Sequence, residues 1–105
     1  MEQYLIKNVI DNIAQAISTS HIKTEGKKTY IERLSKIDAK LLEMAYQTST
    51  VKITGKDMKY IICFAADFEV KDVSQLFNIE PASVHTVRYR IRKKFAKEDI
   101  FRMIL

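Results

Sequence analysis

Ile6, Ile10, Ile13 and Ile17 recur at spacings of four, three and four, a rhythm that an α-helix turns into one continuous apolar stripe. The rhythm returns at Tyr30, Leu34, Ile37, Leu41 and Met44, and again at Val84, Val87, Ile91 and Phe95. Breakers are scarce: two glycines and one proline stand in 105 residues, so the pattern predicts an all-α chain. Hydrophobic residues make up 47% of it, enough to bury a core and to argue against the disordered class. The length suits one domain of ordinary size, or a small domain with a helical extension, and excludes two large domains.

Residues 1–52 read as a helical linker or dimerisation region. A first helix is predicted from about Gln3 to Ser18, on the isoleucine seam. The polar stretch 18–28, with Gly26, reads as a loop, and a second helix is predicted from Thr29 to about Gln47 on the Tyr30 to Met44 seam. Two such helices form an antiparallel hairpin or pair across a homodimer, and both readings stay open. Residues 48–53 read as a connector.

Residues 53–105 read as a second unit. Thr54 stands three residues before Asp57, a near match to a capping box with Asp in the Glu position, and opens a helix with Met58, Ile61, Ile62 and Ala65 on its stripe. The break at 66–69 gives Asp67 a plausible left-handed conformation. A short helix over 70–77 buries Val73, Leu76 and Phe77, and Asn78 falls where positive φ is often needed. Pro81 then opens a helix running to about Ala96, at a position where its missing donor costs nothing. Helix, short helix, tight turn and helix follow helix-turn-helix grammar.

That last helix holds the charge. The chain carries a net charge of +5, but residues 81–97 contain Arg88, Arg90, Arg92, Lys93, Lys94 and Lys97 and no acid. With Val84, Val87, Ile91 and Phe95 facing the core, the outward side presents His85, Thr86, Arg88, Tyr89, Arg90, Arg92 and Lys93. Cations mixed with hydrogen-bonding groups suit phosphates and base edges; the plainer reading is a solvated helix whose charge maintains solubility.

Over residues 53–95 the chain resembles the LuxR/GerE-type DNA-binding domain. Ile53, Thr54, Gly55, Lys56 and Asp57 match the family's Leu-Thr-Pro-x-Glu opening, and Lys71, Asp72, Val73 and Ser74 match its Lys-Glu-Ile-Ala. Phe77, Asn78, Ile79, Glu80, Ser83 and Val84 follow its turn and the start of its third helix, and Ile91, Lys94 and Phe95 match its Leu-x-x-Lys-Leu ending. The ending RYRIRKKF is similar to output domains of Bacteroidetes-style regulators. Asp67 replaces the usual Gly, Val70 the usual polar cap and Glu80 the usual Ser. The resemblance implies a four-helix LuxR/GerE-like helix-turn-helix domain, preceded here by the helical hairpin, acting in sequence-specific double-stranded DNA binding as a transcriptional regulator or its output domain. By position His85, Thr86, Arg88 and Tyr89 would contact bases, and Lys71, Ser83, Arg92 and Lys93 would contact phosphates. Residues 97–105, with Ile100, Phe101, Ile104 and Leu105, would form the fourth helix, which in relatives often pairs protomers. RNA polymerase is a further partner such a regulator would meet.

Other classes find less footing. His21 and His85 lie far apart, Cys63 sits within an apolar stripe, and no glycine-rich phosphate loop occurs, so neither an enzyme nor a metal or cofactor site is expected. The longest apolar run, residues 60–66, is far short of the roughly 20 residues of a membrane span. One cysteine and no leader pattern predict a cytoplasmic protein. The main alternative is a helical protein-interaction adaptor whose basic helix meets an acidic protein.

Overall fold

The computed structural model describes residues 2–98, with side chains from Ile6 onward. These residues form six helices and no strands: α1 (Glu2–Thr19), α2 (Thr24–Ser35), α3 (Ala39–Thr48), α4 (Gly55–Ala65), α5 (Val70–Phe77) and α6 (Pro81–Lys94). The all-α expectation holds. The expected fourth helix of the C-terminal unit, over 97–105, lies outside the described residues apart from its first two.

The N-terminal region is three helices, not a hairpin. The single helix expected from Thr29 to about Gln47 is interrupted at residues 36–38. Lys36 and Ile37 donate to the carbonyls of Arg33 and Leu34 at 3.1 and 3.2 Å, tightening the end of α2. Asp38 then opens α3 by accepting from the Leu41 amide at 3.0 Å, since an aspartate that satisfies an orphan donor favours a new start over continuation. The interruption shifts the helical phase: Leu42 and Ala45 enter the core, while Met44, placed on the expected seam, is 52% exposed. Helix α2 also begins earlier than expected, at Thr24, leaving a shorter loop.

Both halves of the chain share one core, continuous from Ile6 to Phe95. Helix α1 packs on α2, α3 and α4, and α6 packs on α4 and α5. Of the expected seam, Ile6, Ile13 and Ile17 are buried and Ile10 is half-buried against the same core, with Val9 buried beside them, so the seam packs on the chain's own helices. Helix α4 is enclosed on most sides, with Met58, Tyr60, Ile61, Ile62, Cys63 and Phe64 all buried, as expected of a helix apolar almost all round. Burial of each of Met58, Ile61, Ile62 and Phe64 contributes about 1.5–3 kcal/mol relative to exposure.

Two tight turns orient the last three helices. Asp67 (φ 58°) and Asn78 (φ 54°) are the left-handed non-glycine residues among those described, as their positions predicted. Phe68 and Asp67 donate to the carbonyls of Cys63 and Phe64, each at 3.0 Å. Ile79 and Asn78 repeat the pattern on Ser74 and Gln75, at 3.0 and 3.3 Å. Both turns are thus Schellman motifs, in which the left-handed residue lets the last carbonyls of one helix be satisfied while the chain reverses. The Ser74 hydroxyl adds a hydrogen bond to the Ile79 carbonyl. Tyr60 of α4 stacks on Phe77 of α5 with ring centroids 4.1 Å apart, fixing the approach of those helices.

Candidate nucleic-acid interface

Helix α6 begins at Pro81, with Glu80 as an N-cap whose side chain makes no capping bond. Its inward anchors are as expected: Val84, Ile91 and Phe95 are at most 3% exposed and Val87 is half-buried. His85, Thr86, Tyr89, Arg90, Arg92 and Lys93 are exposed. At 100° per residue, Tyr89 sits near the middle of the outward face, flanked one turn away by His85 and Lys93. It is 67% exposed, and the Lys93 ammonium lies 6.0 Å from its ring centroid. The Thr86 hydroxyl donates to the Ala82 carbonyl at 3.2 Å. The helix spans about 21 Å.

Arg88 stands apart from the other expected base contacts. It is half-buried, its guanidinium carbon lies 5.3 Å from the Phe64 ring centroid, and its Nε is enclosed with no hydrogen-bond partner among the described residues. Helical phase explains this: relative to Val84 as zero, Arg88 falls at about 40°, closer to the centre of the Val84, Ile91 and Phe95 stripe than Val87 does at about −60°. The side chain therefore starts on the core side, and its stem runs along apolar surface.

The expected phosphate contacts are spread over two helices. Lys71, in the first turn of α5, is exposed and pairs loosely with Glu69 at 3.6 Å. Ser83 is half-buried in the first turn of α6, and Arg92 and Lys93 are exposed near its end. Lys94 turns the other way and reaches Asp57 of α4 at 2.8 Å. Asp57 closes the capping box: its amide donates to the Thr54 hydroxyl at 3.0 Å, and its carboxylate accepts from the Thr54 amide at 3.2 Å. Burial acts to raise the Asp57 pKa, but the Lys94 and Thr54 hydrogen bonds outweigh it and hold the carboxyl below its usual range.

Two residues join the N-terminal helices to this unit: Tyr30, expected only as an apolar member of its seam, and Arg33, to which the sequence assigned no role. Tyr30 of α2 is buried, stacks on Phe68 at 4.2 Å, and donates its hydroxyl hydrogen to Asp72 of α5. Arg33 donates to the Asp67 carbonyl at 2.9 Å. No local period encodes such contacts, which span 42 and 34 residues.

Elsewhere the chemistry is quiet. Desolvation pushes the buried Cys63 thiol up to about 12, leaving it protonated and poorly nucleophilic. Among the described residues no group of three or more His, Cys, Asp or Glu could hold a metal ion, and no helix is long and apolar enough to cross a membrane. Compared with known protein families, with characterised proteins and with solved structures, the chain finds no match.

Proposed function

We propose that this chain binds double-stranded DNA sequence-specifically as a transcriptional regulator or its output domain, with α4–α6 acting as a LuxR/GerE-like helix-turn-helix and α6 lying in the major groove. The observation that carries this reading is one helix with two opposed faces. Val84, Ile91 and Phe95 hold it to the core, and the opposite ridge of His85, Thr86, Tyr89, Arg92 and Lys93 is exposed and free of acids. The major groove, about 12 Å wide, admits one helix, and donors and acceptors on such a ridge meet base edges there.

In this reading His85, Thr86 and Tyr89 contact bases, while Lys71, Ser83, Arg92 and Lys93 hold phosphates on either side. Arg88 remains over Phe64 and supports α6 from behind. The turn at Asn78 sets the angle between α5 and α6, so that Lys71 and the start of α6 meet the same duplex. Selection of bound duplexes from a random pool tests the reading: a consensus should emerge, and Tyr89→Ala should blur it by about 1–3 kcal/mol of lost discrimination at one position. A pool that never enriches would refute sequence-specific binding.

The second reading, a helical adaptor without DNA binding, draws on Tyr89 itself. An aromatic ring at 67% exposure beside a lysine is also the kind of anchor that protein interfaces use. The adaptor would bind an acidic protein surface and leave duplex DNA unbound at low salt. That α6 itself carries no acidic residue favours the polyanion.

A further inference from the structure

We propose that Tyr30 is a positioning residue for the DNA interface: its hydroxyl clasps the first turn of α5 and so fixes Lys71, making α2 a working part of the binding unit. The functional consequence rests on the DNA reading above.

Helix α5 is eight residues long, and its N-cap residue, Glu69, makes no side-chain capping bond. Its polar anchor comes from elsewhere in the chain. The Tyr30 hydroxyl accepts from the Glu69 amide at 3.3 Å and donates to the Asp72 carboxylate. Lys71 lies between those two residues, so both ends of its short backbone segment are held by one phenol. The ring is 4% exposed and stacked on Phe68, which leaves the hydroxyl little freedom to swing away. One turn further along α2, the Arg33 guanidinium stands 5.8 Å from the Tyr30 ring centroid and donates to the Asp67 carbonyl. Residues 67, 68, 69 and 72 are therefore all gripped from α2.

The hydroxyl keeps its donor role across the working pH range. Burial first, and the Asp72 hydrogen bond second, push its pKa up to about 12. Removing it leaves the half-buried Asp72 without its donor and the Glu69 amide without its acceptor. The first turn of α5 then loosens, while the Tyr30–Phe68 stack remains.

The test uses Tyr30→Phe in the full chain, with DNA affinity measured on random duplex over a range of salt. The expected result is a folded protein whose affinity falls about five- to tenfold and whose log K against log salt slope is shallower by about one, the mark of one lost phosphate contact. Amide exchange at Glu69 to Asp72 should quicken while α6 is unchanged. Asp72→Ala should reproduce the loss, Asp72→Asn, which keeps an acceptor for the phenol, should restore near-normal binding, and Tyr30→Phe with Asp72→Ala should cost no more than either alone. If Tyr30→Phe fails to fold, Asp72→Ala carries the same readings. A folded variant with lowered melting temperature but unchanged affinity and slope would overturn the positioning role and leave the DNA reading standing. Wild-type protein that binds no duplex would overturn the DNA reading itself, and with it the role assigned to Tyr30.

Discussion

The Lys94 ammonium lies 2.8 Å from Oδ2 of Asp57, joining the last turn of α6 to the capping box that starts α4. One carboxylate thus ends one element's freedom and begins another's. The pair lies on the side of α6 away from Tyr89, so it orients the helix without entering the proposed interface.

Stability should depend on pH through Asp57. Its carboxyl is held below the ordinary range, so its contribution is complete above about pH 4, the unfolded value, and is lost as pH falls through the lower folded value. Asp57→Asn should cost about 1 kcal/mol at neutral pH. Denaturation of both proteins across pH should show the gap closing in acid; a gap of constant size would contradict the assignment.

Asp67 holds a left-handed conformation that glycine adopts without penalty. Its exposed side chain makes room for the exchange, and the carbonyl that Arg33 grips is retained. Asp67→Gly should raise stability by about 0.5–1 kcal/mol and Asp67→Val should lower it by more than that. Thermal melts of the two variants check this, and equal effects would show that the turn does not set the cost.

Arg88 carries an enclosed Nε with no hydrogen-bond partner among the described residues, and burying such a donor unpaired is costly. Arg88→Met keeps a long side chain over Phe64 and removes that donor. Stability should hold or rise by up to about 1 kcal/mol, with base preference unchanged. A loss of preference like that expected for Tyr89→Ala would mean that Arg88 leaves Phe64 to reach a base.

Lys71→Ala and Tyr89→Ala should fail in different ways. The first should weaken all duplexes alike, since a phosphate contact carries no sequence information, and the second should weaken the preferred site most. Parallel binding titrations on the preferred site and on random duplex separate the two; matching profiles would count against the roles assigned.

Local chemistry made much of this architecture legible. The isoleucine seam of α1, the Thr54–Asp57 box, the left-handed Asp67 and Asn78, and the Pro81 start each depend on residues within a few positions of one another. The interruption at Asp38 was harder to read because a capping aspartate competed there with an unbroken apolar rhythm, and the cap prevailed. Arg88 carries a charge that suits the outward face, while its helical phase starts the side chain on the core side over Phe64. Tyr30 was invisible as more than an apolar ring, since its partners Asp72 and Glu69 are distant in the chain and meet it only once α2 packs across the α4–α5 turn.

Binding of duplex DNA by the exposed ridge of α6 is tested by fluorescence anisotropy of a labelled random duplex titrated with the full chain. Binding should be seen at low salt, with log K falling linearly and steeply against log salt as counterions are released from neutralised phosphates. Absence of binding at low salt, or an affinity indifferent to salt, would contradict it.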